Sequence, residues 1–230
     1  MKFDLNRLSS VVLTLAACAI AVALVRREFF PSAASQALSR QQSDELSYER
    51  SWKDVAAAGT LVGQANAPIQ IVEFSELECP FCRRFHEGAL KAARTRFGDT
   101  ISVSFVHYPI PGHRFARPAA RAALCANAHG HFGSFVEAVF AKQDSLGLKS
   151  WASYGADAGL VDTVGLTQCA ALATPLAQVD SNVALGKRLR VPGTPTVFLN
   201  GWRYSAAPSD SVLMDDIARL LRGEQPVKKR

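Results

Sequence analysis

No internal repeat and no low-complexity tract breaks the 230-residue chain, which excludes solenoid arrays and compositionally biased segments. A basic stripe with interleaved aromatics is also missing. The net charge of +6 comes from small scattered groups at residues 26–27, 83–84 and 187–190 and from the terminal KKR. These read as solvated faces, and no nucleic-acid partner is expected. Cysteine is scarce, five residues in all, and only Cys79 and Cys82 form a Cys-x-x-Cys pair. With no second such pair and no His-x-His partner, a structural zinc site loses its support. Position 83 is Arg where haem attachment needs His. A chain of this length buries a core without disulfide staples, and a bridge across three residues closes too small a loop to stabilise much. What remains for the pair is redox chemistry, with no metal and no cofactor expected.

Charge is absent from residues 8–25, LSSVVLTLAACAIAVALV, which are flanked by Lys2 and Arg7 before and by Arg26 and Arg27 after. As a helix this run spans about 27 Å, enough for a bilayer core. Residues 1–28 are therefore expected to be an N-terminal membrane anchor or signal segment. RRE directly after the run disfavours cleavage there, while SAAS at 32–35 offers a later small-residue site. LAAC at 15–18 resembles a lipoprotein signal ending at Cys18, but the apolar run continues past it, which favours a small residue inside a membrane helix. We expect the N-terminus in the cytoplasm and the bulk of the chain outside the membrane. Residues 29–54, rich in Ser, Gln and charge, are expected to be a tether, with the folded part beginning near Val55.

IQIVEF at 69–74 is a β-rich run that breaks into ECPFCRRF and then into the helix-like HEGALKAARTRFG. Pro80 suits the first turn of a helix. Cys79 then lies at a helix N-terminus, where free N–H groups and the helix dipole favour a thiolate. Cys79, the more exposed of the two, is the expected nucleophile and Cys82 the resolving thiol. Further on, RVPGTPTVFLNGWRY at 190–204 places Pro195 before a strand that ends in an Asn-Gly turn and reverses into a hairpin.

IVEFSELECPFC, HYPIPGHRFARPAARAALCA and LGKRLRVPGTPTVFLNG together resemble the thioredoxin-fold thiol:disulfide oxidoreductases, specifically the DsbA-like branch of bacterial envelopes, over about residues 60–222. The expected class is α/β, a thioredoxin fold with an inserted α-helical subdomain. Its first part is 55–108, the helical insertion is 109–190, and the second part with a C-terminal helix is 191–230. Ala-rich stretches with Gly breaks between the strands at 101–108 and after Pro195 read as several helices, and the resemblance implies that they overhang the site. It also implies a cis Thr194–Pro195 peptide against Cys79, which leaves the Thr194 backbone free to pair with a substrate chain. Pro80, Phe81, Thr194 and Pro195 are thus the expected wall of the site and substrate contact.

Ile69, Ile71 and Glu73 share one face of their strand, and an unpaired carboxylate buried there would take up a proton. By resemblance Glu73 is the proton acceptor for the buried cysteine; an exposed edge carboxylate is the alternative. Cys125 and Cys169 fall in the insertion and form either a second, structural disulfide or two buried free thiols. His86, His107 and His113 invite a catalytic reading, but His86 is expected to be a partly exposed helix residue. Trp52, Trp151 and Trp202 are expected in the core or at its rim.

The implied activity is disulfide exchange with exported proteins, as an oxidase, by a monomeric membrane-anchored protein whose catalytic domain lies in the periplasm or outside the membrane and is reoxidised by a membrane redox partner. A reductase or isomerase of the same fold is the alternative, since Thr194 before Pro195 is similar to the DsbG-like isomerases, although no dimerisation domain is present. A redox-inert chaperone or thiol metal-binding protein is the alternative of another class. Phe81 stands where the strongest oxidases carry His, so the Cys79 pKa is expected between ~3.5 for DsbA and ~7 for thioredoxin, with the reduction potential likewise intermediate.

Overall fold

In the computed structural model, residues 46–226 are described. The expected anchor at 1–28, Cys18 and the tether as far as residue 45 lie outside them. Among the described residues no helix is long and apolar enough to cross a membrane.

Strands β1 (Ser47–Tyr48), β2 (Thr60–Val62), β3 (Ile69–Ser75), β4 (Ile101–His107), β5 (Thr196–Leu199) and β6 (Trp202–Arg203) form one sheet in the order β1-β6-β5-β3-β4-β2. β3 and β4 run parallel, from Ile69 opposite Ile101 to Ser75 opposite His107. β5 lies antiparallel on the other side of β3, with Phe74 opposite Thr196. Both central strands are buried almost throughout, which is why IQIVEFS and ISVSFVH read as continuous runs rather than as half-polar alternations. Asn200 and Gly201, both at positive φ, make the turn from β5 into β6, as the Asn-Gly signal predicts.

One face of the sheet, including Ile69, Ile71, Val197 and Leu199, packs on Phe85, Ala89 and Leu90 and on Leu213 and Ile217 of α9 (Asp210–Leu221). The helix after Cys79 is not uniform. It runs as α2 (Pro80–Phe85), a π-helical turn (His86–Leu90) and α3 (Lys91–Phe97). The other face, through Val72, Phe74, Val106 and Phe198, packs on Val55 and Ala56 of α1 (Trp52–Ala57).

Residues 47–54, expected to belong to the tether, are part of the fold. Ser47 and Tyr48 pair with Arg203 and Trp202, and α1 begins at Trp52. The physical reason is an otherwise open edge at β6: the Tyr48 and Trp202 rings meet at 5.1 Å, and Trp52 and Leu46 pack against core clusters.

Between β4 and β5 lie the inserted helices α4 (Ala116–Ala128), α5 (Phe132–Ala141), α6 (Trp151–Asp157), α7 (Thr163–Ala170) and α8 (Ala177–Arg188). Their small residues let them pack closely: Ala119, Ala122, Ala123 and Ala126 of α4 are buried with Phe135, Val139 and Tyr154. Cys125 of α4 and Cys169 of α7 are joined by a disulfide, with Cα atoms 5.9 Å apart.

Candidate active site

Cys79 caps the N-terminus of α2 in an extended conformation, with Pro80 in the first turn. Its sulfur accepts from the Cys82 backbone N–H at 3.4 Å and donates to the Thr194 carbonyl at 3.4 Å. Both cysteines are free thiols. Cys79 is the more accessible of the pair, as the sequence suggested, but only by 2% against 0%, so both sulfurs are buried. The insertion accounts for part of this: Gln143, in the turn after α5, donates to the carbonyls of Leu77 and Cys79 at 2.8 and 3.0 Å. Phe81, 59% exposed, faces solvent together with Pro80, while the two cysteines of the run are buried.

The two thiols differ in acidity because their surroundings differ. A hydrogen bond from the Cys82 thiol, opposed by burial and aided by the Thr194 side chain and the backbone N–H groups of Cys82 and Phe81, lowers the Cys79 pKa to about 6. Burial first, then the hydrogen bond to Cys79 and the charge of Glu73, push Cys82 well above the ordinary thiol value. One proton therefore sits on Cys82 while Cys79 carries the negative charge.

Thr194–Pro195 is a cis peptide, and it lies against Cys79. The Thr194 hydroxyl is buried with no other hydrogen-bond partner, which leaves it available to the Cys79 thiolate. Beside this wall opens a cavity of about 500 Å³ lined by Tyr108, Ile110, His113, Arg117, Lys187 and Gly193.

Glu73 is fully buried, but it is not unpaired, because its Oε2 meets His86 Nε2 at 2.8 Å. This corrects both expectations at once. The carboxylate has a partner, and His86 is turned inward against Phe140, with ring centroids 4.5 Å apart, rather than standing partly exposed. The π-helical turn that begins at His86 is the local feature no residue pattern announced.

A second acidic group escaped the sequence reading. Glu76 pairs with His113 and accepts from the Glu78 N–H at 2.7 Å, while Glu78 accepts from the Phe115 N–H at 2.6 Å. Burial raises the Glu76 pKa, and the bond to Glu76 raises that of His113. These contacts fasten the segment 109–115 to the approach of Cys79. The available signal was the run ELE just before Cys79, but nothing in spacing joins it to His113. His107 stands apart from this chemistry. It is fully buried between Phe105 and Phe132, neither ring nitrogen has a partner among the described residues, and burial lowers its pKa to about 3. Trp52, Trp151 and Trp202 are half-buried at the rim.

The thioredoxin family model matches residues 55–217. The chain belongs to the thioredoxin family. Among solved structures it is similar to a thioredoxin-like oxidoreductase from Silicibacter pomeroyi DSS-3, at 22% identity and a TM-score of 0.60, covering 76% of this chain and 98% of that one. It is similar also to DsbA from Chlamydia trachomatis, at 19% identity and a TM-score of 0.59, covering 70% and 91%. At such identities these likenesses establish the fold, an α/β thioredoxin fold with helices inserted between β4 and β5. A curated relative, named Na(+)/H(+) antiporter NhaA 1 from Mycolicibacterium gilvum, is 31% identical over 144 residues, which are 62% of this chain but 23% of that protein. The chain thus corresponds to less than a quarter of the relative's length.

Proposed function

We propose that this thioredoxin-family protein is a thiol:disulfide oxidoreductase that oxidises exported proteins in the cell envelope, held at the membrane by residues 1–28. The observation that carries the reading is the division of one proton between two thiols at a helix N-terminus, with Cys79 lowered to about 6 and Cys82 raised, directly against the cis Thr194–Pro195 carbonyl. A substrate thiolate attacks Cys79 of the oxidised pair, Cys82 leaves, and a second substrate thiol displaces Cys79. Thr194 and Pro195 hold the substrate backbone beside the sulfur, and Pro80 and Phe81 form the exposed lip. Glu73 exchanges the proton of Cys82. The fold shared with a DsbA and a thioredoxin-like oxidoreductase supports this reading.

The test is client trapping in cells. Cys82→Ala should accumulate mixed disulfides between Cys79 and exported proteins, and Cys79→Ser should accumulate none. If the Cys82→Ala protein carries no client, and the purified parent neither oxidises nor reduces a peptide dithiol, the exchange reading fails. Stoichiometric metal binding by that inert protein would then favour a thiol metal-binding role. The direction of electron flow follows from the redox state of Cys79 and Cys82 in the same sample, where a mostly reduced pair would favour the reductase or isomerase reading.

A further inference from the structure

Cys82 lies on the buried face of α2 with no exposed surface, yet its sulfur must gain a proton each time it leaves a disulfide and lose one each time it attacks. Glu73, whose charge acts on it, is equally sealed. Neither group reaches water by itself. His86 does: it bonds Glu73 through Nε2 at 2.8 Å, retains 9% exposure, and lines a cavity of about 330 Å³ whose rim carries Lys91, Arg94, Glu87 and Glu137. These groups arrive from two sides, Glu87, Lys91 and Arg94 from the helix of His86 itself and Glu137 from α5, and Arg94 pairs with Glu137 at 2.6 Å. Glu73 faces His86 from β3, and the aromatic rings beside the imidazole are those of Phe85, Phe105 and Phe140. The cavity opens among α3, α5 and the π-helical turn, and it shares no lining residue with the cavity beside Thr194–Pro195.

We propose that His86 carries the proton of Cys82 between Glu73 and the water of this second cavity, as a positioning and relay residue that acts through Glu73. An imidazole suits the task because it can release a proton at one ring nitrogen while accepting one at the other. When a substrate thiolate attacks Cys79, the Cys79–Cys82 bond breaks and its electron pair stays on the Cys82 sulfur. A proton passes from the Nε2–H of His86 to the Glu73 carboxylate and on to that sulfur, and the imidazole regains one from cavity water. The second substrate thiolate then displaces Cys79 as a thiolate, so the substrate loses two electrons and the protein pair gains them. In the reverse direction Cys82 gives up its proton along the same groups as it attacks the mixed disulfide. Substrate and proton thus use separate cavities.

This inference rests on the proposed exchange activity, and the experiment separates the two. Reduced protein is mixed with a chromogenic aromatic disulfide. The second-order attack by Cys79 is followed first, and then the first-order release of thiol as Cys82 resolves the mixed disulfide. His86→Gln keeps a neutral donor for Glu73 but cannot relay a proton. It should slow the resolving step about tenfold near neutral pH and flatten its pH profile, leaving the Cys79 attack and its thiolate titration unchanged. In His86→Ala, added imidazole should restore the resolving rate, and pyrrole, a ring of the same size without a basic nitrogen, should not. A resolving rate for His86→Gln within about twofold of the parent from pH 5 to 8 would overturn the relay, as would equal rescue by both rings. Should neither variant fold, the parent decides: its resolving step must slow in deuterium oxide by about twofold or more, and the absence of slowing overturns the proposal. Failure of the parent to react with the disulfide at all would count against the exchange activity itself.

Discussion

Cys125 and Cys169 join two helices of the insertion across 44 residues of sequence, whereas Cys79 and Cys82 stand three residues apart as free thiols at the start of α2. Burial alone does not decide the difference, since Cys125 is 4% exposed and Cys79 2%, although Cys169 is only partly buried. The difference lies in what faces the sulfurs. Cys125 sits inside α4 among alanines and phenylalanines, where the backbone N–H groups are spent on the helix. Cys79 sits before the first turn of a helix, where N–H groups are unspent, with a proton donor on Cys82 and the Thr194 wall opposite. A closed loop of 44 residues constrains the unfolded chain strongly, by about 4 kcal/mol on the loop-entropy estimate, and one of three residues hardly at all. One residue type therefore serves as a staple in the insertion and, under the proposed function, as a reactive centre in the thioredoxin half, according to local donors and loop length rather than burial.

The largest expected effect falls on the reactive pair. Cys79→Ser should lower the rate of oxidation of a peptide dithiol by more than about a thousandfold, measured by mass spectrometry of the product, with unfolding in urea little changed. The opposite profile is expected for the staple. Cys125→Ala combined with Cys169→Ala should cost about 2–4 kcal/mol in urea unfolding while leaving the Cys79 thiolate titration where it was. A shift of that titration by more than about one unit would break the comparison, because it would mean that the insertion sets the chemistry of the site through its disulfide.

A third effect, of about 3 kcal/mol, depends on pH. His107 is neutral in the fold, with a pKa lowered to about 3, and returns to ~6.5 when the chain unfolds. Its contribution to stability is complete above pH ~6.5 and is lost as the pH falls from there toward 3, because the unfolded state binds the proton first. At pH 4 the loss reaches about 3 kcal/mol. His107→Phe, packed between Phe105 and Phe132, should therefore flatten the fall in melting temperature between pH 7 and pH 4 relative to the parent, whatever offset the new ring introduces. An unchanged slope would mean that His107 is protonated in the fold.

Much of the frame is legible in the sequence because it rests on short-range rules. The run IQIVEF, proline after Cys79 and the Asn-Gly turn each specify local geometry without help from distant residues. The positions of Cys79 and Pro195 follow from those rules together with the family resemblance. The proton path was not legible. Glu73 and His86 are separated by 13 residues and meet where a π-helical turn begins at His86, with no sequence signal for that turn. His113 and Glu76, 37 residues apart, and Gln143 with Leu77, 66 apart, depend on how the insertion folds back over α2. Reading the residues alone left Glu73 unpaired and His86 exposed because pairing between elements is a tertiary fact, and only its cost, a buried carboxylate in need of a partner, could be foreseen.

The smallest effect sharpens the comparison at its most exposed point. Phe81 projects into solvent with the Arg84 guanidinium 5.4 Å from its ring centre, so its side chain contributes a stacking surface but no hydrogen bond to the thiolate. Cys79 reaches a pKa of about 6 without such a bond, through Cys82, Thr194 and the helix N–H groups. Phe81→His adds a ring able to donate to the thiolate. A hydrogen bond to a charged group contributes ~1.5–3 kcal/mol when sheltered and less at an exposed position, so a fall of about one unit in the Cys79 pKa is expected. Stabilising that thiolate stabilises the reduced protein, and a tenfold change in the exchange constant with glutathione corresponds to about 30 mV toward a stronger oxidant. Thiolate absorbance against pH and equilibration with glutathione measure the two quantities separately. If the pKa falls and the potential stays, the added bond must act equally on the oxidised pair; if neither moves, the ring remains stacked on Arg84, and Thr194 with the helix N–H groups already supplies all the donors that the thiolate can use.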